Sequence, residues 1–298
     1  LAGSLTVAEI KSYRDRGFLT GLRVLSEDKT KRLRADLEGI EDAQGFALDK
    51  AQCNKSYLLF DWADELVHHP AVLDAVESLI GPDILCLMTN LFTKEANSGS
   101  FVSMHQDAAY WGVDADDVVT AWIALSPATA ESGVMKVEPG SHKSLRTQVN
   151  TYSSGNLLSR GQTIPDDELE PDQQVYMELS PGEMSLHHFK LVHGSDPNQT
   201  EDRRIGLAIR YVAAKAETTA EGQSALLVRG ESHSQIELET RTSGMTKSEK
   251  YRHHTDAVTK LFKAMMKSDK DTPFAERVRL VLMRSLAPIL LRLKKRTT

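Results

Sequence analysis

The feature that most constrains this chain is a change of hydrophobic period at Gly81-Pro82. Beyond it, the runs 84–93, 101–106, 118–125, 134–138, 174–179, 183–188, 204–213 and 225–229 alternate apolar and polar residues and are punctuated by Gly, Pro, Asn and Ser. That many short strands in about 145 residues predict a β-sandwich or jelly roll. Before the boundary the period is helical. Thr6-Val7-Ala8-Glu9 is a capping box, Ile10 and Tyr13 follow at helical spacing, and Gly17 ends the segment. A second helix is expected from Ser26 with Leu33 and Leu37 on one face, and a third over 71–80. From about Lys247 the helical pattern returns. The expected class is therefore α+β with a mainly β core, in a single domain spanning 1–298. It comprises a mostly helical part over 1–80, a jelly-roll core over 81–230 and a C-terminal helical extension over 231–298. The longest irregular insertion, 143–173, has the composition of a lid or substrate loop.

Composition narrows the function classes. With 40% apolar and 26% charged residues, the chain is neither disordered nor fibrous. It holds no run of roughly 18–20 apolar residues, so no membrane-spanning helix is expected, and Leu1-Ala2-Gly3-Ser4-Leu5 lacks the pattern of a signal peptide. Cys53 and Cys86 are read as reduced thiols in a cytoplasmic protein. A net charge of −6 gives no basic face for nucleic acid. The exception is the basic tail, where 275–296 interleaves apolar residues with arginines around Pro288. It is expected to form a helix docking on the barrel or on a second copy, giving a homo-oligomer.

Among ten histidines, His105-Gln106-Asp107 places an imidazole and a carboxylate on the same side of an extended segment. His193, in Leu191-Val192-His193-Gly194-Ser195, is the natural third member. Two imidazoles and one carboxylate can cap one face of an octahedral metal and leave three positions open, as in mononuclear non-haem Fe(II) oxygenases. Arg204 begins the run Arg204-Ile205-Gly206-Leu207-Ala208-Ile209-Arg210-Tyr211. On its strand, Arg204, Gly206, Ala208 and Arg210 share a face. The two small residues are expected to leave room for a ligand beside a guanidinium suited to gripping a carboxylate.

Several segments then resemble the phytanoyl-CoA dioxygenase family in the right order. They are Tyr13-Arg14-Asp15-Arg16-Gly17-Phe18-Leu19, His105-Gln106-Asp107, Trp122-Ile123-Ala124-Leu125 and Pro139-Gly140-Ser141-His142-Lys143, then Leu179 to His188, Leu191 to Ser195, Pro197-Asn198 and Arg203-Arg204. The resemblance covers about residues 6–230. It implies a double-stranded β-helix, a cupin-like jelly-roll barrel wrapped by helices, and Fe(II)- and 2-oxoglutarate-dependent oxygenase activity that consumes O2. It further implies that His105, Asp107 and His193 are the iron ligands and that Arg204 holds the distal carboxylate of 2-oxoglutarate, with Ser195 close by. Asn90, Gln106 and Trp122 fall at co-substrate contacts. Thr120 shares the Trp122 face, and Lys55 aligns loosely with a further contact. Halogenating members replace the ligand carboxylate by a small residue; Asp107 favours hydroxylation or another oxidation of a small-molecule metabolite or natural-product intermediate.

Other residues receive plainer readings. His187 and His188 point to opposite faces, so at most one looks into the barrel, in a packing or supporting role. His142 is read as structural and Arg210 as the partner of a neighbouring carboxylate. Tyr110 and Trp111 are candidates for the substrate pocket, and His68, His69, His253 and His254 are expected on solvated helix faces. Two alternatives to an oxygenase stand beside it: a jelly-roll metal- or carboxylate-binding protein, and a metal-dependent hydrolase or lyase.

Overall fold

The helices begin and end where local chemistry provides caps. In the computed structural model, which describes residues 3–108, 113–114, 117–158, 160–218 and 222–267, the helix Val7–Arg16 carries the complete Thr6/Glu9 capping box. Gly17 closes it at φ 84°, a left-handed conformation that glycine adopts without strain. Ser26 caps Glu27–Gln44, and Pro70 occupies the first turn of Pro70–Ile80, where its missing N–H costs nothing. The helical segment near the C-terminus is Lys247–Lys267.

Two sheets face each other. The larger runs in the order Phe18–Arg23, Glu183–His188, Val118–Ala124, Arg204–Ala213, Ile84–Lys94, Ser224–Arg229, Glu237–Leu238. The smaller runs Val102–His105, His193–Ser195, Met135–Val137, Val175–Tyr176. Together with the flanking helices this is the expected jelly roll. The expected strand 174–179 forms only at Val175–Tyr176; Met177 N–H continues with one backbone bond to Met135 O, and Leu179 pairs with Ala128 as an isolated antiparallel bridge.

Strand alternation divides the larger sheet into two chemically different faces. Val119, Ala121, Ile123, Ile205, Leu207, Ile209 and Tyr211 pack outward beneath Leu33, Leu37, Leu66, Val72 and Val76 of the helices. Each fully buried aliphatic side chain there is worth about 1.5–3 kcal/mol. Tyr211 adds a 2.9 Å hydrogen bond from its hydroxyl to Val67 O. Trp122, Ala124 and Ala208 point the other way, into a second core shared with Met135, Val137 and Leu191. The inward face also carries every polar candidate of this sheet.

Gly206 corrects one expectation. The space above it is filled by the Trp122 ring rather than left for a ligand, and a Cβ there would lie 1.8 Å from Trp122 Cζ2. Gly206→Ala is expected to displace that ring and destabilise the fold by about 1–3 kcal/mol. An unchanged denaturation midpoint would contradict this packing.

Two further expectations change. His69 and His254 are buried rather than solvated, and His254 Nε2 donates to the carbonyls of Ala51 and Asn54 at 3.1 and 2.9 Å. Among the described residues, no helix is long and apolar enough to cross a membrane. The tail expected as a docking helix, and with it the homo-oligomer reading, lies outside the described residues, as do Tyr110 and Trp111.

Candidate metal centre

Antiparallel pairing sets His193 directly opposite His105, and their rings approach to 4.2 Å between centroids. Asp107 follows two residues after His105 on the same side, its Oδ1 3.3 Å from His105 Nε2. One ligand atom from each of the three side chains lies within 4.8 Å of the other two, and all three residues are buried. They form the described residues' one cluster of this kind.

Each imidazole is oriented by its own backbone. His105 Nδ1 lies 2.9 Å from Ser103 O, and His193 Nδ1 lies 2.9 Å from Leu191 O. A carbonyl only accepts, so Nδ1 carries the proton on both rings and Nε2 presents its lone pair inward. Burial, and then the neighbouring His105, lower the His193 pKa to about 4, which keeps it neutral as a ligand must be. Burial alone would raise the Asp107 carboxyl. The adjacent His105 imidazole and the charge of Arg210 instead hold it well below the usual carboxylate range. Asp107 Oδ2 is buried without a hydrogen-bond partner. Two inward Nε2 lone pairs and an under-used carboxylate are a donor set that fits Fe(II).

Arg204 lies on the same inward face as Arg210 and is 3% exposed. Burial lowers its pKa to about 10, so it remains charged at neutral pH. Its Nε has no hydrogen-bond partner, and among the described residues no carboxylate pairs with it. The guanidinium carbon stands 5.3 Å from the Trp122 ring centroid, which holds it by a cation–π contact. A buried guanidinium without its own anion is costly, and a carboxylate ligand resolves that cost.

The structure adds a residue that sequence reasoning missed. Lys94 sits across the sheet from Arg204, fully buried, and donates to Ser195 Oγ at 2.7 Å, to Gly133 O at 3.1 Å and to Asp196 O. Burial and the adjacent Arg204 lower its pKa to about 7. Its sequence signal was the even spacing of 90, 92 and 94, which puts a lysine on the polar face of an apolar strand. Ser195, expected beside the co-substrate, thus reaches the Arg204 region through Lys94.

Other candidates are placed elsewhere. The alternation that aligns His105 with Asp107 turns Gln106 away. Its Nε2 donates to Ser144 O and Lys190 O at 2.8 and 2.6 Å, its Oε1 accepts from Arg146 N at 2.8 Å, and no donor remains for a co-substrate. Gln148 grips the Gln106 backbone N–H and carbonyl at 3.0 and 3.1 Å. Gln106 therefore staples the 143–173 insertion and the segment before His193 to the metal strand. Gln106→Ala orphans three backbone groups and is expected to cost about 1–3 kcal/mol, read by denaturation, while the 2-oxoglutarate dissociation constant stays unchanged. A large loss of 2-oxoglutarate affinity without destabilisation would reverse that assignment.

Asn90 faces inward, but its Oδ1 accepts from Arg210 Nη1 and its Nδ2 donates to Asn54 Oδ1. Lys55 is committed to Glu239, Leu87 O and Ser224 O, away from Arg204. Thr120 and Trp122 both face inward, two residues apart on Val118–Ala124. Of the paired histidines, His187 is the inward one, its ring 5.0 Å from that of His193. The His188 ring lies 5.2 Å from that of His142 in a tilted contact, and His142 Nε2 donates to Arg14 O at 3.0 Å.

A jelly roll that brings two histidines and an aspartate to one buried point, with a guanidinium waiting for an anion, defines the class of non-haem iron oxygenases. The phytanoyl-CoA dioxygenase (PhyH) family model matches residues 13–206, and the chain belongs to that family. It is 27% identical over 226 residues to a probable alpha-ketoglutarate-dependent hypophosphite dioxygenase of Stutzerimonas stutzeri, covering 69% of this chain and 78% of that protein. It is 26% identical over 234 residues to peroxisomal phytanoyl-CoA dioxygenase of Homo sapiens, covering 70% and 69%. The solved apo structure of the non-heme monooxygenase ThoJ superposes with a TM-score of 0.78 at 33% identity, over 87% of this chain and 98% of that one. The protein is thus an Fe(II)- and 2-oxoglutarate-dependent dioxygenase.

Proposed function

We propose that the protein oxidises an unactivated C–H bond of a small molecule, with hydroxylation the favoured outcome, and releases succinate and CO2. In this reading His105, Asp107 and His193 hold the iron, and Arg204 anchors the distal carboxylate of 2-oxoglutarate. The carrying observation is the meeting of three buried donors within 4.8 Å, together with a buried guanidinium, Arg204, on the inward face that lacks an anion of its own. When bound, iron would activate O2, and 2-oxoglutarate, decarboxylated to succinate, would supply two of the four electrons that reduce it, the substrate C–H bond supplying the other two. The chain's part is to orient and to exclude water. Trp122 walls the Arg204 pocket, and Lys94 adds positive potential behind it.

The inward face also supports a substrate class. Thr120 Oγ1, Ser185 Oγ and His187 Nδ1 are buried without hydrogen-bond partners, and His187 lies opposite Thr120 across the strands. Buried polar atoms demand partners. A compact metabolite or natural-product intermediate bearing oxygen functions provides them where a plain hydrocarbon does not.

The test begins with anaerobic addition of Fe(II) and 2-oxoglutarate, which should give a weak visible charge-transfer band. Oxygenated small molecules should then stimulate succinate release coupled to O2 uptake more than their hydrocarbon counterparts. Absence of the band would favour a pure binding protein, and turnover without O2 would favour a hydrolase or lyase.

A further inference from the structure

The two oxygens of Asp107 have different neighbours. Oδ1 is turned to the other donors, 3.3 Å from His105 Nε2. Oδ2 is turned to Arg210, whose Nε stands 3.9 Å away, inside ion-pair range but beyond a hydrogen bond. Arg210 is buried on the inward face of Arg204–Ala213 and is held by a relay of amides. Its Nη1 donates to Asn90 Oδ1, Asn90 Nδ2 donates to Asn54 Oδ1, and Asn54 Nδ2 donates to Lys50 O at 2.6 Å. The Asn54 carbonyl in turn accepts from His254 Nε2 at 2.9 Å. A continuous chain of polar contacts therefore runs from Lys247–Lys267, through the turn after the short helix Lys50–Cys53, to the ligand carboxylate.

We propose that Arg210 is a positioning residue for Asp107: held by Asn90, which Asn54 holds in turn, its guanidinium keeps Oδ2 off the metal so that the carboxylate donates through Oδ1 alone. The inference rests on Asp107 being a ligand. A carboxylate binds a divalent ion through one oxygen or two. Three protein donors leave three of six positions open; a second oxygen from Asp107 would fill one of them. Point attraction at 3.9 Å, rather than a hydrogen bond, suits this role, because it biases the orientation of Oδ2 while leaving the carboxylate free to donate to the metal. Asn90, which the family resemblance placed at the co-substrate, acts here by fixing the direction of the Arg210 fork.

The experiment uses the full chain loaded with Co(II), whose visible bands report coordination number. Arg210→Ala, confirmed folded by its circular dichroism, should move the visible bands towards a higher coordination number and raise Co(II) affinity severalfold before any 2-oxoglutarate is added, because a second carboxylate oxygen is freed and a neighbouring cation removed. Arg210→Lys keeps the charge but loses the fork to Asn90 and should reverse part of both changes. Asn90→Ala should shift the spectrum in the same direction by less, and it carries the test if Arg210→Ala does not fold. Unchanged Co(II) affinity and spectrum in folded variants would overturn the proposal. So would an effect confined to 2-oxoglutarate or substrate affinity, which would make Arg210 a ligand anchor. Asp107→Ala is the control: if it leaves Co(II) binding intact, the ligand assignment itself has failed.

Discussion

Replacing Asp107 by Ala is expected to reduce 2-oxoglutarate turnover to background. The carboxylate is the one anionic donor among three, and the two imidazoles that remain are neutral, so the site loses both a donor and the charge that offsets a divalent ion. Removing a group that merely hydrogen-bonds a metal ligand already costs about 10–100-fold in affinity, so deleting the ligand should cost more. The change also takes from Arg210 the carboxylate facing it at 3.9 Å. Removing a carboxylate that neutralises a buried guanidinium is destabilising, so part of the effect will appear as lost stability. Metal content, succinate yield and the thermal midpoint measured on one preparation separate the two contributions. His193→Ala should match the loss of metal and succinate without the electrostatic penalty, because His193 is held neutral by burial. Full activity in Asp107→Ala would contradict the ligand assignment.

The second large effect is expected at Arg204. Its guanidinium is buried and has no carboxylate partner among the described residues. In the proposed reading it forms a desolvated charge pair with the far end of 2-oxoglutarate. Truncating one member of such a pair costs about 2–5 kcal/mol, which corresponds to roughly 30- to several-thousand-fold in the 2-oxoglutarate requirement. Arg204→Ala should raise that requirement with little change in metal affinity, since its contacts are Trp122 and the Lys94 region rather than the triad. Arg204→Lys keeps the charge but loses the planar fork and should fall between. Lys94 sets a limit on the loss, because a second cation stays beside the pocket. A requirement for 2-oxoglutarate that does not move in Arg204→Ala would place the co-substrate elsewhere.

Much of this arrangement was legible in one dimension because it follows from short-range rules. Thr6/Glu9 and Gly17 bound a helix through contacts within four residues. His105 and Asp107 share a side because strands alternate, and Ile205, Leu207, Ile209 and Tyr211 face the helices for the same reason. Where the reading went astray, a partner distant in sequence decided the outcome. Gly206 looked like free space until Trp122 filled it. Gln106 looked like a co-substrate contact until Ser144, Arg146 and Lys190 took all its hydrogen bonds. His254, on a helix with many charged residues, is buried because the turn at Asn54 presents carbonyls to it.

By itself, then, the amino-acid order determined the strand and helix periods, the two-residue step that aligns an imidazole with a carboxylate, and the family motifs that name iron and 2-oxoglutarate. Only the tertiary structure decided that His193 faces His105 across an antiparallel pair, that Lys94 stands opposite Arg204, and that Arg210 is aimed at Asp107 through Asn90 and Asn54. The reason is physical. Periodicity fixes which face a side chain leaves its own strand, whereas register between strands brought together from different parts of the chain fixes what it meets.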